Sequence, residues 1–211
     1  MNARNVIVAI VILVAVVGGY FFFQMRKVQQ AAVKWEGPVP EIVSEDIQKD
    51  RDLTTVKLAS RIDAPIDDVF EAFTKPDQLQ GTVADIKLSK VLSGDDQKKQ
   101  VEFHITTLGQ LQVFTVDLTF DKSQKQVGIK TVEGVIDIDG VYALSSSPDG
   151  KVTLVSYTAT QRNKLPLPVP QDVERSAIKE QFANLMKGVK SVLAKEGKLK
   201  TSSRARLRAA A

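Results

Sequence analysis

Between residues 83 and 162 the chain carries six successive stretches in which apolar and polar side chains alternate, each ended by a turn signal. One long helical pattern follows them. A period of two puts neighbouring side chains on opposite faces of a strand, so this run predicts a sheet with one buried face. The stretches are Val83 to Leu92, Lys99 to Thr107, Gln110 to Asp121, Lys125 to Glu133, Ile136 to Ser146 and Lys151 to Arg162. In the second, Val101, Phe103 and Ile105 face one way, and Glu102, His104 and Thr106 the other. In the third, Phe114, Val116, Leu118 and Phe120 alternate with Thr115, Asp117 and Thr119. The turn signals between them are short, which predicts an antiparallel meander. Connections this short leave no room for the crossover helices that parallel strands need.

The flanking segments complete the order. Residues 54–63 (TTVKLASRID) alternate as a half-buried strand that stops at Ala64-Pro65. Ile66, Val69, Phe70 and Phe73 then fall at helical spacing, with Asp67 and Asp68 in the first turn, where the helix dipole favours acids. Pro76 to Gly81 is a second short helix or turn. Leu165 to Pro170 (LPLPVP) is an extended connector. From Asp172 to Lys195, Ile178, Phe182, Leu185, Met186, Val189, Val192 and Leu193 form one apolar stripe, with Gly197 as its C-terminal cap.

Charge and composition exclude several kinds of function. There are no cysteines, so disulfides, thiolate catalysis and iron–sulfur clusters are ruled out. The single histidine, His104, cannot build a histidine zinc site, and alternation turns it away from Phe103 and Ile105. Asp137, Asp139 and Gly140 lack the remaining ligands of a calcium loop. Asp117 has solvent-facing parity. No phosphate-binding glycine loop, nucleophile elbow or dinucleotide fingerprint is present. No catalytic residue, metal or cofactor is expected. The net charge is +4, but the five basic residues from Lys198 onward and the four in residues 1–34 exceed it, leaving −5 for the rest. Nucleic-acid binding, which needs a basic folded surface, is therefore not expected.

Val6 to Phe23 contains no charge, and 18 helical residues span about 27 Å, close to the hydrocarbon thickness of a bilayer. Residues 6–25 are expected to be a transmembrane helix after a tail of residues 1–5. Its apolar run is longer than that of a cleaved signal peptide, and it ends in Tyr-Phe-Phe-Phe-Gln rather than small residues. A single-pass membrane location follows. Its sidedness stays open, because Arg4 flanks one end and Arg26, Lys27 and Lys34 the other. Residues 26–52 are expected to be a linker, residues 53–196 the domain, and residues 197–211 a basic disordered tail able to meet anionic lipid.

The order strand, two short helices, six strands and one long helix resembles the helix-grip fold of the START-like superfamily (the SRPBCC or Bet v 1-like group, with the polyketide cyclase/dehydrase and lipid-transport proteins). Residues 59–79 (ASRIDAPIDDVFEAFTKPDQL), 138–160 (IDGVYALSSSPDGKVTLVSYTAT) and 165–193 (LPLPVPQDVERSAIKEQFANLMKGVKSVL) carry the resemblance. It implies an α+β domain in which a curved antiparallel sheet of about seven strands wraps the C-terminal helix. It also implies a cavity between Phe103, Phe114, Val116, Leu118, Tyr142 and Tyr157 of the sheet and Phe182 and Met186 of the helix. Such a cavity suits a hydrophobic ligand: a lipid, a sterol or isoprenoid, or a quinone-like molecule. The alternatives are an enzyme of this fold, of cyclase or hydrolase type, acting on a membrane-soluble substrate, and an interaction module with a filled core.

Overall fold

The computed structural model describes residues 35, 40–83, 85–107, 109–164 and 169–199. Eight strands form one sheet: β1 (Ser44–Asp50), β2 (Leu53–Ile62), β3 (Ile86–Gly94), β4 (Lys98–Thr107), β5 (Gln110–Asp121), β6 (Gln126–Glu133), β7 (Ile136–Ser146) and β8 (Thr153–Asn163). Every pair is antiparallel, and the spatial order is β1-β2-β8-β7-β6-β5-β4-β3. The strands β3 to β8 are the expected meander, and β2 closes onto the last of them. Helix α1 (Ile66–Phe73) and a 3₁₀ turn (Pro76–Leu79) lie between β2 and β3, and helix α2 (Gln171–Lys195) follows β8.

The expected architecture is corrected in two respects. The sheet has eight strands rather than about seven, because β1 forms inside the segment assigned above to a linker. Its sequence, SEDIQKD, buries only Ile47, so it carries no two-residue apolar period. What holds this edge strand is its ladder to β2 and a set of ion pairs to α2: Glu45 to Arg175 at 2.8 Å and to Lys179 at 2.5 Å, and Lys49 to Glu174. Second, the transmembrane helix of the expected architecture is not found: among the described residues no helix is long and apolar enough to cross a membrane. The segment 6–25 itself lies outside the described residues.

Local chemistry explains the two helices. Eight residues are too few for α1 to be stable alone, so it depends on burying Val69, Phe70, Ala72 and Phe73. Twenty-five residues give α2 a length of about 37 Å. Its buried stripe begins only at Ile178, so its first two turns are held by polar contacts. Glu174 accepts from Lys49 Nζ and, at 2.8 Å, from Thr54 Oγ1. At the other end Gly197 takes a positive φ of 70°, Gly197 N–H donates to the Ala194 carbonyl and Lys198 N–H to the Leu193 carbonyl. That is the Schellman closure a C-terminal glycine supplies. Beyond it, Lys198 pairs with Glu71 at 2.8 Å and Glu196 at 3.0 Å, so the start of the expected tail is tied to the domain. Residues 200–211 lie outside the described residues.

Two close approaches shape the space under α2. Gly188 faces Val83, and a Cβ at that position would stand 2.1 Å from Val83 Cγ2. This lets the segment after the 3₁₀ turn lie on the helix. Ser89 Oγ donates to the Pro76 carbonyl at 2.6 Å and Ser89 N–H to Gln80 Oε1 at 3.3 Å, so the 3₁₀ turn covers part of edge strand β3. Register shifts within β3–β4 and at Thr115/Val116 of β5–β6 add to the twist and bend of the sheet.

Candidate functional site: a cavity under the long helix

Parity along the strands decides which side chains meet α2. Phe103 and Ile105 of β4, Phe114 and Val116 of β5, Ile129 of β6, and Ile136, Ile138 and Tyr142 of β7 turn toward it, joined by Tyr157 and Gln161 of β8. From α2 come Ile178, Gln181, Phe182, Asn184 and Leu185. Leu79, Val83, Asp85 and Ile86 close the side between the 3₁₀ turn and β3. Together they wall a partly open cavity of about 160 Å³. The size decides what fits. A cavity of about 150 Å³ lined by apolar side chains accepts benzene, whereas pockets for drug-sized ligands run from roughly 300 Å³ upward. By volume this space matches a single ring or a comparable apolar group and is smaller than an entire sterol.

An aromatic row crosses the wall. Phe73 of α1 lies 5.3 Å from Tyr142, Tyr142 stacks on Tyr157 at 4.5 Å with an 18° interplanar angle, and Tyr157 stacks on Phe182 at 6.0 Å. The stack between the tyrosines follows from register, because Tyr142 and Tyr157 are directly opposed on β7 and β8. Burial, opposed by a hydrogen bond from Gln161 Nε2 at 3.4 Å, pushes the Tyr157 hydroxyl up to about 12. Burial, and then the neighbouring Tyr157, raises Tyr142 well above the ordinary tyrosine range. Both hydroxyls are neutral donors at physiological pH.

Six of the eight sequence-predicted residues, Phe103, Phe114, Val116, Tyr142, Tyr157 and Phe182, stand on this wall. Leu118 and Met186 do not; both are buried in the solid core. Leu118 is opposite Ile129 and shares the parity of Phe114, but it lies farther along β5, beyond the space. Parity identifies a face and not the depth along it. Three isoleucines of the wall have the same signal as the chosen aromatics: Ile136 and Ile138 share the parity of Tyr142, and Ile105 that of Phe103. Asp85, Gln181 and Asn184 carry no such signal. Asn184 Nδ2 donates to Asp85 Oδ2, joining α2 to the segment before β3.

The acids and histidine outside the cavity have surface partners. His104 shares a 2.9 Å hydrogen bond with Glu102 on the outer face of β4. Asp117 pairs with Lys98 at 2.7 Å, which together with Gln100 holds its carboxyl below the usual range. Asp137 pairs with Lys164 at 2.6 Å. Among the described residues no cluster of three acidic or histidine side chains could hold a metal.

Solved structures share this architecture. The Zhui aromatase/cyclase from Streptomyces sp. R1128 superposes with a TM-score of 0.58 at 13% identity, covering 65% of this chain and 92% of that one. A START superfamily protein from Mycobacterium smegmatis gives 0.56 at 15%, covering 67% and 97%. A Thermus thermophilus protein gives 0.58 at 15%, covering 67% and 98%. The chain therefore has the START-like, helix-grip fold. No family model and no curated protein matches its sequence.

Proposed function

We propose that this chain binds a small hydrophobic molecule, holding one flat apolar ring or a group of similar size between the sheet and α2. The observation that carries this reading is the cavity of about 160 Å³, with isoleucines on its sheet side and a stacked aromatic row across its wall. Packed interiors rarely leave voids larger than a water molecule, so a space of this size in a wall of large side chains is not a packing accident. It also opposes the alternative of an interaction module with a filled core. That one structural neighbour, Zhui, is named as an aromatase/cyclase supports a ring-shaped ligand. A larger quinone-like or isoprenoid molecule would place its ring inside and the remainder outside the partly open cavity.

Native mass spectrometry of the purified full chain, with organic extraction of whatever accompanies it, tests this. A near-stoichiometric apolar adduct supports the reading. A chain that carries nothing and takes up no apolar fluorescent probe overturns it.

A further inference from the structure

The cavity contains a donor with no protein acceptor. Tyr142 is more than nine-tenths buried, and among the described residues its hydroxyl has no hydrogen-bond partner. The only sealed side-chain polar atom without a partner among those residues is Ser60 Oγ. The Tyr142 hydroxyl is therefore not sealed; it opens into the cavity whose wall its ring forms. Phenylalanine at this position would keep the stack on Tyr157, so the stack does not call for the hydroxyl. Tyr142 thus offers something that stacking alone does not require.

The remaining wall limits what can answer it. Its polar members are Asp85, Asn184, Gln161, Gln181 and Tyr157, and none of its residues is a lysine or arginine. Asn184 is already engaged with Asp85, and Gln161 with Tyr157. An anionic ligand would enter an apolar space with no counter-charge, beside the single acid of the wall. That is unfavourable, so fatty acids and other carboxylates are poor candidates.

We infer that the ligand of this cavity is an uncharged, ring-bearing carbonyl compound, a ketone or quinone, whose oxygen accepts a hydrogen bond from the Tyr142 hydroxyl. This rests on the binding function proposed above and narrows it to a chemical class. The ring lies against the apolar wall, and the carbonyl oxygen accepts the hydrogen bond for which the described residues offer no acceptor. A site built to donate to a ligand oxygen discriminates against analogues that lack it.

The test uses the full chain and three probes of matched size: acetophenone, ethylbenzene and benzoate. Affinities are measured by ligand-observed NMR titration for wild type and Tyr142→Phe. Tyr142→Phe is expected to weaken acetophenone by about fivefold, the range of one neutral hydrogen bond, and to leave ethylbenzene within about twofold. Benzoate is expected to bind wild type at least about tenfold more weakly than acetophenone. Retained ethylbenzene binding shows that the variant is folded. Equal acetophenone affinity in the two proteins, with ethylbenzene still bound, overturns the carbonyl assignment and leaves the cavity reading standing. Benzoate binding as tightly as acetophenone also overturns it. Failure of all three probes to bind wild type overturns both.

Discussion

Tyr142 and Tyr157 are directly opposed on β7 and β8, and their rings stack at 4.5 Å beneath α2. The pair joins two properties of the molecule. Its stacking belongs to the core and its hydroxyls to the cavity. Both are held neutral by the same burial.

That burial makes stability depend on alkaline pH. Tyr157 has a folded pKa of about 12 against an ordinary value of 10.0, so between those values the unfolded chain has lost the proton that the folded chain keeps. The contribution is fully present below about pH 10 and is lost as pH rises toward 12, at a cost on the order of 2 kcal/mol. Tyr142 shifts in the same direction. Urea unfolding from pH 8 to 11 is expected to show falling stability, and the doubly substituted Tyr142→Phe, Tyr157→Phe chain a flatter profile. An identical slope in the two chains would contradict the assignment.

Gly188 is expected to be worse as alanine, although alanine is the better helix former by roughly 1 kcal/mol. The added Cβ would stand 2.1 Å from Val83 Cγ2, and overpacking of this kind costs about 1–3 kcal/mol. Val83→Ala in the same chain should recover part of the loss. Chemical denaturation of the two single variants and the double variant measures this coupling.

Phe182 is part of both the core and the wall. Phe182→Ala removes the ring stacked on Tyr157 and should destabilise the domain by about 3 kcal/mol. It also enlarges the cavity, so the variant should accept bulkier apolar probes than wild type. Fluorescent-probe titration together with urea unfolding reports both effects.

Glu174 anchors the first turns of α2 to β1 and β2. Replacing it with alanine leaves Lys49 unpaired and the buried Thr54 hydroxyl without its acceptor, a loss of about 2 kcal/mol. The more exposed Glu45 pairs with Arg175 and Lys179 should contribute below about 1 kcal/mol and fade with salt. Hydrogen exchange of the β1 amides, with and without salt, distinguishes the two.

Much of the fold was legible because it rests on periodicity. The parity of Phe103, Phe114 and Val116 placed them on the face that meets α2, and the stripe from Ile178 to Leu193 placed the helix. Gly197 marked the end of α2, where a positive φ is required. β1 was missed because an edge strand with one buried side chain has no apolar rhythm, and the partners on α2 that hold it, Glu174, Arg175 and Lys179, lie more than a hundred residues away. The cavity was legible only as a face. Phe182 borders the space while Met186, one turn later on the same stripe, is fully buried, and no periodicity separates the two. Asp85 and Asn184 meet only in the tertiary structure.

The most direct test of the central claim is a methyl NMR titration of the isoleucine-labelled full chain with ethylbenzene. Ile105, Ile129, Ile136 and Ile138 border the cavity, whereas Ile47 and Ile62 belong to the packed core away from it. Saturable shifts are expected at the first four and none at the last two. Shifts confined to isoleucines away from the cavity, or no saturable shift at any of them, would contradict ligand binding under α2.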